Sequence, residues 1–226
     1  MSKFRILVEE TRKSIEARKK RIDSLYAQIM GPIHSHLDQM VDVYNTDPDH
    51  EVAYNIFDGE FTIRITYQYN PEVIQNTNTL MSFAYDLDLN RKLCYIDIFF
   101  DRDKLTPKLL SIYANSDLFK NRVKHELLHY LDMTQSNFKL PIPDYEGDID
   151  QQWMTYINQP EEIHALLYST IDALQGKEVN IQNKQDIIAK AKESNSEIVE
   201  MLSDFFKYGN RKTVNKFMKS LYNALN

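Results

Sequence analysis

The residues whose types and spacing could do chemistry are His125-Glu126-Leu127-Leu128-His129. On a helix, residues four apart lie about 40° apart around the axis, so both imidazoles point the same way and can bind one Zn²⁺ ion. Glu126 is offset by about 100°, so its carboxylate can reach a metal-bound water without being a ligand itself. The spacing therefore predicts two metal ligands and a general base on one turn of a helix.

The helix that carries this motif is predicted to cover residues 117–133. His125, His129 and Asp132 fall on one polar face of it, and the opposite arc is mostly apolar. The apolar arc contains Phe119, Val123, Leu127, Leu128, Tyr130 and Leu131. This pattern indicates a buried site. The alternative is a partly exposed helix face with two polar histidines and a solvated Glu126, in which no metal is bound.

A zinc site with two histidines needs a third protein ligand, and a downstream helix offers carboxylates. Pro160 is predicted to begin a helix over residues 160–175, with Glu161 and Glu162 in its first turn. Taken alone, these acids need do no more than complement the helix dipole. Beside the upstream motif, one of them could complete a His₂Glu site.

The His-Glu-Leu-Leu-His motif followed by a Pro-Glu-Glu-Ile-His-Ala helix resembles the gluzincin branch of the zincin metallopeptidases. It is similar in particular to small bacterial and phage members with a Tyr-x-x-x-Pro-x-Glu-Ile-x-Ala element. The resemblance covers residues 117–170. It implies that Glu162, three positions before Ala165, is the third ligand, with Glu161 as the alternative.

The resemblance also implies an activity, that of a zinc-dependent metallopeptidase with Zn²⁺ as cofactor and a peptide or protein as substrate. Glu126 would accept a proton from the metal-bound water and return it to the leaving amine. Thermolysin-like enzymes often place an Asp four residues after the ligand glutamate, where it orients a histidine. That position is Leu166 here, so Asp132 is the candidate for this role. His164 lies on a different helix face from Glu162 and is predicted to be structural.

The elements that must position these residues follow the order helices, strands, helices, which predicts an α+β domain. Alternation of apolar and polar residues predicts a strand over 61–69, and two further segments predict a hairpin over 79–88 and 93–100. The strand ending at Phe100 is the candidate for an edge strand that pairs with a peptide. The resemblance implies a zincin-like fold, in which a small antiparallel or mixed sheet packs on the active-site helix.

Long helices are predicted at both ends of the chain. The first covers residues 2–30, carries an apolar stripe of Ile15, Ile22, Leu25 and Ile29, and ends at Gly31-Pro32. Two more helices are predicted over about 182–207 and 211–225. The predicted organisation is an N-terminal helical segment, 1–44, before a metallopeptidase domain, 45–226, or one single domain, 1–226.

Charge limits the partners that this chain could bind. The net charge is −6, which argues against a nucleic-acid partner. The N-terminal helix nevertheless has a predicted basic face, formed by Arg12, Lys13, Arg18, Lys19, Lys20 and Arg21. This face is expected to pair with acidic groups of the same chain or to contact an acidic partner.

The location is expected to be the cytoplasm, or the host cytoplasm for a phage-encoded protein. The one cysteine, Cys94, cannot form an internal disulfide, which is typical of a reducing compartment. No apolar run is long enough to span a membrane. Two alternatives to a peptidase stay open: a zinc-binding hydrolase of another bond, and a helical interaction module with a structural metal.

Overall fold

The structure, a computed structural model, describes residues 12–43, 50–56, 61–68, 79–86, 93–101, 104–136, 148–194 and 198–226. Within these ranges one helix precedes four strands, and seven helices follow. The elements are α1 (Arg12–Val43), β1 (His50–Ile56), β2 (Phe61–Gln68), β3 (Thr79–Asp86), β4 (Leu93–Asp101), α2 (Pro107–Ala114), α3 (Asp117–Gln135), α4 (Ile149–Tyr156), α5 (Pro160–Leu174), α6 (Lys184–Lys192), α7 (Ile198–Tyr208) and α8 (Arg211–Leu225).

The four strands form one mixed sheet in the order β1-β2-β4-β3. β1 pairs antiparallel with β2, and β3 pairs antiparallel with β4, as the predicted hairpin requires. β2 and β4 are parallel, with Ile63 opposite Ile96. The α+β class is therefore confirmed. The sheet is mixed rather than antiparallel because β4 returns between β2 and β3 instead of adding to an outer edge.

One prediction about the strands is wrong, and one strand was not predicted. β4, which contains Phe100, has a neighbour on each side, so it is not an edge strand; β1 and β3 are the edges of the described sheet. Strand β1 is not among the predicted elements. Val52, Tyr54 and Ile56 alternate there with more polar residues, so the period-two signal is present but short. Alternation identifies a strand and carries no information about its neighbours.

Backbone contacts divide the chain into two compact units, and the first is Ile22–Tyr130. It holds the sheet, whose core face is formed by the buried Ile63, Ile65, Cys94, Ile96, Ile98 and Phe100. The ring of Phe100 stacks on Phe119 of α3, with centroids 6.0 Å apart. Tyr113 of α2 meets both rings edge-on, at 6.4 and 5.5 Å. This aromatic cluster packs the sheet on the helix that carries the His-Glu-Leu-Leu-His motif.

Helix α1 continues through Gly31 and Pro32, so the predicted end at these residues is wrong. A proline inside a helix loses one backbone hydrogen bond and costs about 3 kcal/mol. Ile29, Met30 and Ile33 are nonetheless buried on either side of it. Their burial, worth about 1.5–3 kcal/mol per side chain, offsets that cost and keeps the helix continuous. Residues 2–11 of the predicted helix lie outside the described residues.

The second unit is Met1–Arg21 with Leu131–Asn226. Its central helix is α5, which contacts α6, α7 and α8 and buries residues on most of its circumference. The single helix predicted over 182–207 is instead two helices, α6 and α7. The indole of Trp153 in α4 donates a hydrogen bond to Asp204 in α7, at 2.8 Å. α5, which carries the predicted third ligand, is thus held on several sides.

The unit boundaries fall inside α1 and α3, and not between residues 44 and 45. The predicted division into an N-terminal segment and a metallopeptidase domain therefore stays a prediction. None of the described helices combines the length and the apolar character needed to cross a membrane.

Candidate metal centre

Helix α3 presents the histidine motif as its sequence predicts. Ser116 immediately precedes the helix, and its hydroxyl accepts a hydrogen bond from the backbone N–H of Phe119, at 3.2 Å. This side chain satisfies an N–H group that the first helical turn leaves without a partner inside the helix. Phe119, Val123 and Leu127 are fully buried on one side of the helix. Their packing fixes the rotation of α3 and therefore the direction in which its polar face points.

The two histidines lie on that polar face, one turn apart. Their ring centroids are 4.7 Å apart, and the planes are inclined at 80°. His129 is buried, with 8% of its surface exposed, and His125 is half-buried. Glu126 is also buried, at 8% exposure, although a carboxylate rarely is. The arrangement places a buried acid, a buried imidazole and a half-buried imidazole within about one helical turn.

Helix α5 begins at Pro160, as predicted, and carries Glu161 and Glu162 in its first turn. Proline is suited to this first position because no helical hydrogen bond is lost there. Glu162 is only 6% exposed. Burial raises the pKa of the Glu161 carboxyl above its ordinary value, and the charge of Glu162 acts in the same direction. Two adjacent acids in a poorly solvated position form a site where a cation would be stabilised.

The ligand atoms of His125, His129 and Glu162 all lie within 4.8 Å of one another. Among the described residues Glu161 does not belong to this cluster. Donor atoms of a tetrahedral zinc site with bonds of about 2.1 Å are separated by about 3.4 Å, so the donor separations need to shorten by at most about 1.4 Å.

The chemistry of this donor set suits a catalytic zinc. Two imidazoles and one carboxylate are a common zinc set that leaves one coordination position for water or substrate. The same donors also accept other divalent transition metals, so the set alone does not select zinc. The structure thus brings together the three residues that the sequence analysis named, and their binding of a metal stays a prediction.

Asp132, the candidate for orienting a metal-binding histidine, has partners on two other helices. Its Oδ1 accepts a hydrogen bond from Arg18 of α1, and its Oδ2 lies 3.1 Å from Nδ1 of His164 in α5. His164, predicted to be structural, therefore takes part in a polar network beside the metal cluster. These partners come from α1 and α5 because Asp132 lies near the end of α3, and its role toward a metal-binding histidine stays a prediction.

Arg18 lies on a different face of α1 from the basic face predicted for it. Its side chain is only 10% exposed, and its contact with Asp132 confirms the predicted pairing with acidic groups of the same chain. The position of Arg18 around the helix axis could have predicted its burial. Arg18 lies about 60° from Ile15 and about 40° from Ile22 around the helix axis, within the apolar stripe. A charged residue inside an apolar stripe predicts a buried partner of opposite charge.

Comparison of the chain with protein-family models, with curated proteins and with solved structures returns no match. Its function is therefore inferred from the site itself.

Proposed function

We propose that this chain is a zinc-dependent metallopeptidase with a zincin-like fold. The observation that carries the proposal is the convergence of His125, His129 and Glu162, whose ligand atoms lie within 4.8 Å of one another, next to the buried Glu126. Two of these residues come from α3 and the third from α5, 33 positions after His129. Such a meeting of a zinc donor set with an adjacent acid is what hydrolysis with a metal-activated water requires.

Three of these residues are assigned to metal binding and one to proton transfer. His125, His129 and Glu162 would hold the zinc. When bound, zinc lowers the pKa of a coordinated water and polarises a carbonyl group. Glu126 accepts the proton that the attacking water gives up, and it donates that proton to the nitrogen of the leaving amine. The burial of Glu126 suits this exchange, because it keeps bulk water away from the transferred proton.

The fold supports the zincin-like assignment in two ways. The stacked rings of Phe100 and Phe119 pack the mixed sheet directly on the helix that carries the histidines. The sheet also has edge strands, β1 and β3, and the backbone of such an edge can pair with an extended peptide. A peptide bound in this way is the substrate class that the proposal assigns to the site.

The proposal is tested by Glu126→Gln, which keeps the size of the side chain and removes its basicity. The zinc-loaded variant should retain about one zinc per chain and lose activity by a factor of about 10² to 10⁴. Activity is measured as new termini in a mixture of proteome-derived peptides, read by mass spectrometry. Glu178→Gln, at an exposed position, is the matched control and should be as active as the wild-type chain. Full activity in Glu126→Gln contradicts the mechanism.

A second experiment tests whether the metal keeps an open position. The chain is loaded with Co²⁺ in place of zinc, and acetohydroxamate, a small bidentate ligand, is added. A change in the visible spectrum on addition supports a position open to substrate. An unchanged spectrum indicates a coordination sphere closed by protein ligands, and with it a structural metal. Zinc binding without any peptide cleavage, together with an open position, points to a hydrolase of another bond.

A further inference from the structure

Arg18, Asp132 and His164 form a chain of polar contacts that links three helices. Arg18 of α1 donates from Nη2 to Oδ1 of Asp132, and from Nη1 to Oε1 of Gln135 at 3.2 Å, both on α3. The other oxygen of Asp132 lies 3.1 Å from Nδ1 of His164 on α5. The Arg18 guanidinium also lies 5.7 Å from the ring centroid of Tyr168, again on α5. We call Arg18, Asp132 and His164 the inter-helix bridge.

The inter-helix bridge is buried more deeply than an ordinary ion pair. The side chains of Arg18 and Asp132 expose only 10% and 8% of their surface, and His164 exposes 17%. Dehydrating two charges offsets most of their attraction, so a buried pair adds little net stability compared with apolar side chains of the same size. Its directed hydrogen bonds, in contrast, fix one arrangement of the groups that they join. A positioning role explains this bridge better than a stabilising one.

The inter-helix bridge lies close to the predicted ligands on both helices. Asp132 is three residues after His129, which is about 4.5 Å along the axis of α3. His164 is two residues after Glu162, or about 3 Å along the axis of α5. The contact between Asp132 and His164 therefore joins the two helices within one turn of His129 and of Glu162.

We propose that Arg18 and Asp132 are positioning residues for the metal centre. This inference rests on the proposed function. Arg18 fixes the Asp132 carboxylate, which can only accept hydrogen bonds, and Asp132 accepts from His164 and so sets the position of α5 against α3. The distance from Glu162 to the histidine pair, and with it the zinc affinity, depends on that position. The bridge thus gives the N-terminal helix a part in metal binding.

The test compares Arg18→Ala with Lys19→Ala. Both variants remove a cation of α1 that pairs with a carboxylate of the same chain, but Lys19 pairs with Asp172, ten residues beyond Glu162 and about 15 Å further along α5. The dissociation constant for zinc is measured by competition with a chromogenic chelator, at a temperature where both variants are folded. Arg18→Ala should bind zinc about 10- to 100-fold more weakly. Lys19→Ala should bind it as the wild-type chain does.

A second variant keeps the inference testable if Arg18→Ala does not fold. Replacing both charged groups by apolar ones of similar size, Arg18→Met with Asp132→Leu, leaves no buried charge without a partner, so the chain should fold. His164 then has no acceptor at position 132, and the zinc affinity should still fall by about 10- to 100-fold. Wild-type affinity in the double variant would mean that the pair only maintains packing, and would overturn the inference.

The outcomes for the inference and for the proposed function are separate. Equal zinc affinity of the wild-type chain and Arg18→Ala overturns the positioning role and leaves the metallopeptidase proposal intact. A wild-type chain that does not bind zinc overturns both. Excess zinc should restore the peptidase activity of Arg18→Ala, because the variant is expected to lower only the fraction of chains that hold zinc. If activity stays lost when every chain holds zinc, Arg18 does not act through zinc affinity.

Discussion

The choice between the two adjacent acids of α5 can be decided by zinc-linked unfolding. Glu162→Gln should abolish most of the stabilisation by zinc, and Glu161→Gln should preserve it, because only Glu162 belongs to the cluster with His125 and His129. Both substitutions remove one carboxylate from the first turn of α5, so any loss of helix-dipole stabilisation is common to the two variants. They differ in whether the lost carboxylate belongs to the cluster with the two histidines.

The expected effect follows from binding linkage. Free zinc at 100 times its dissociation constant stabilises the folded chain by about 2.7 kcal/mol. In a chain of 226 residues each kcal/mol raises Tm by about 2–4 °C, so the wild-type chain should gain about 5–11 °C. If Glu162→Gln weakens binding about 100-fold, the same zinc concentration stabilises it by only about 0.4 kcal/mol, or about 1 °C.

The stabilities of the two variants without metal provide a control for the zinc experiment. The charge of Glu162 contributes to the raised pKa of Glu161, so the two carboxylates repel each other in the absence of a cation. Removal of either charge relieves that repulsion, so the two variants should have similar metal-free stabilities apart from the helix-dipole loss that they share. Tm is measured by differential scanning calorimetry with chelator and with zinc. A zinc shift that persists in Glu162→Gln and disappears in Glu161→Gln would refute the ligand assignment.

The remaining predictions concern the fold. Phe119→Ala removes the fully buried ring that packs the sheet on α3, and it should lower the free energy of unfolding, measured in urea, by about 3–5 kcal/mol. The same loss is expected with and without zinc, and a loss near zero would contradict the packing role of the aromatic cluster. Gly31→Ala should change the free energy of unfolding little, because the gain of about 0.5–1 kcal/mol in helix propensity is opposed by the crowding of its Cβ against the ring of Pro32, the next residue of α1. Gly209→Ala should destabilise it, because a Cβ at that position would lie 2.3 Å from the backbone oxygen of Phe205. Equal effects of the two glycine substitutions in the same urea titrations would contradict the geometry.

The site could be predicted where its geometry is local. The relation between His125 and His129 is a property of one helical turn, and any helix over this segment places the two rings on one side. The start of α5 at Pro160 is equally local, because proline is suited to a first helical position. The zinc donors of α3 and the presence of acids in the first turn of α5 therefore follow from the sequence.

The predicted end of α1 is wrong because local helix propensity and the packing of distant segments act in opposite directions there. Gly31 and Pro32 are unfavourable in a helix interior, and a local rule ends the helix there. The helix continues because Ile29 and Ile33, four residues apart, are both fully buried. The same stripe contains Arg18, which the charge pattern places on the basic face although its side chain is buried. Burial depends on what packs against the helix, and that information is not local.

By itself, the sequence determined the chemistry that this chain can offer: two imidazoles and an acid at fixed angles on one helix, and a carboxylate pair at the start of another. Only the tertiary structure decided that the cluster of possible metal ligands contains Glu162 and not Glu161, that Asp132 contacts Arg18 and His164, and that β4 lies inside the sheet. The physical reason is the range of the interactions. Helical angles are set by hydrogen bonds between residues four apart, whereas these meetings depend on side-chain packing between segments far apart in the chain.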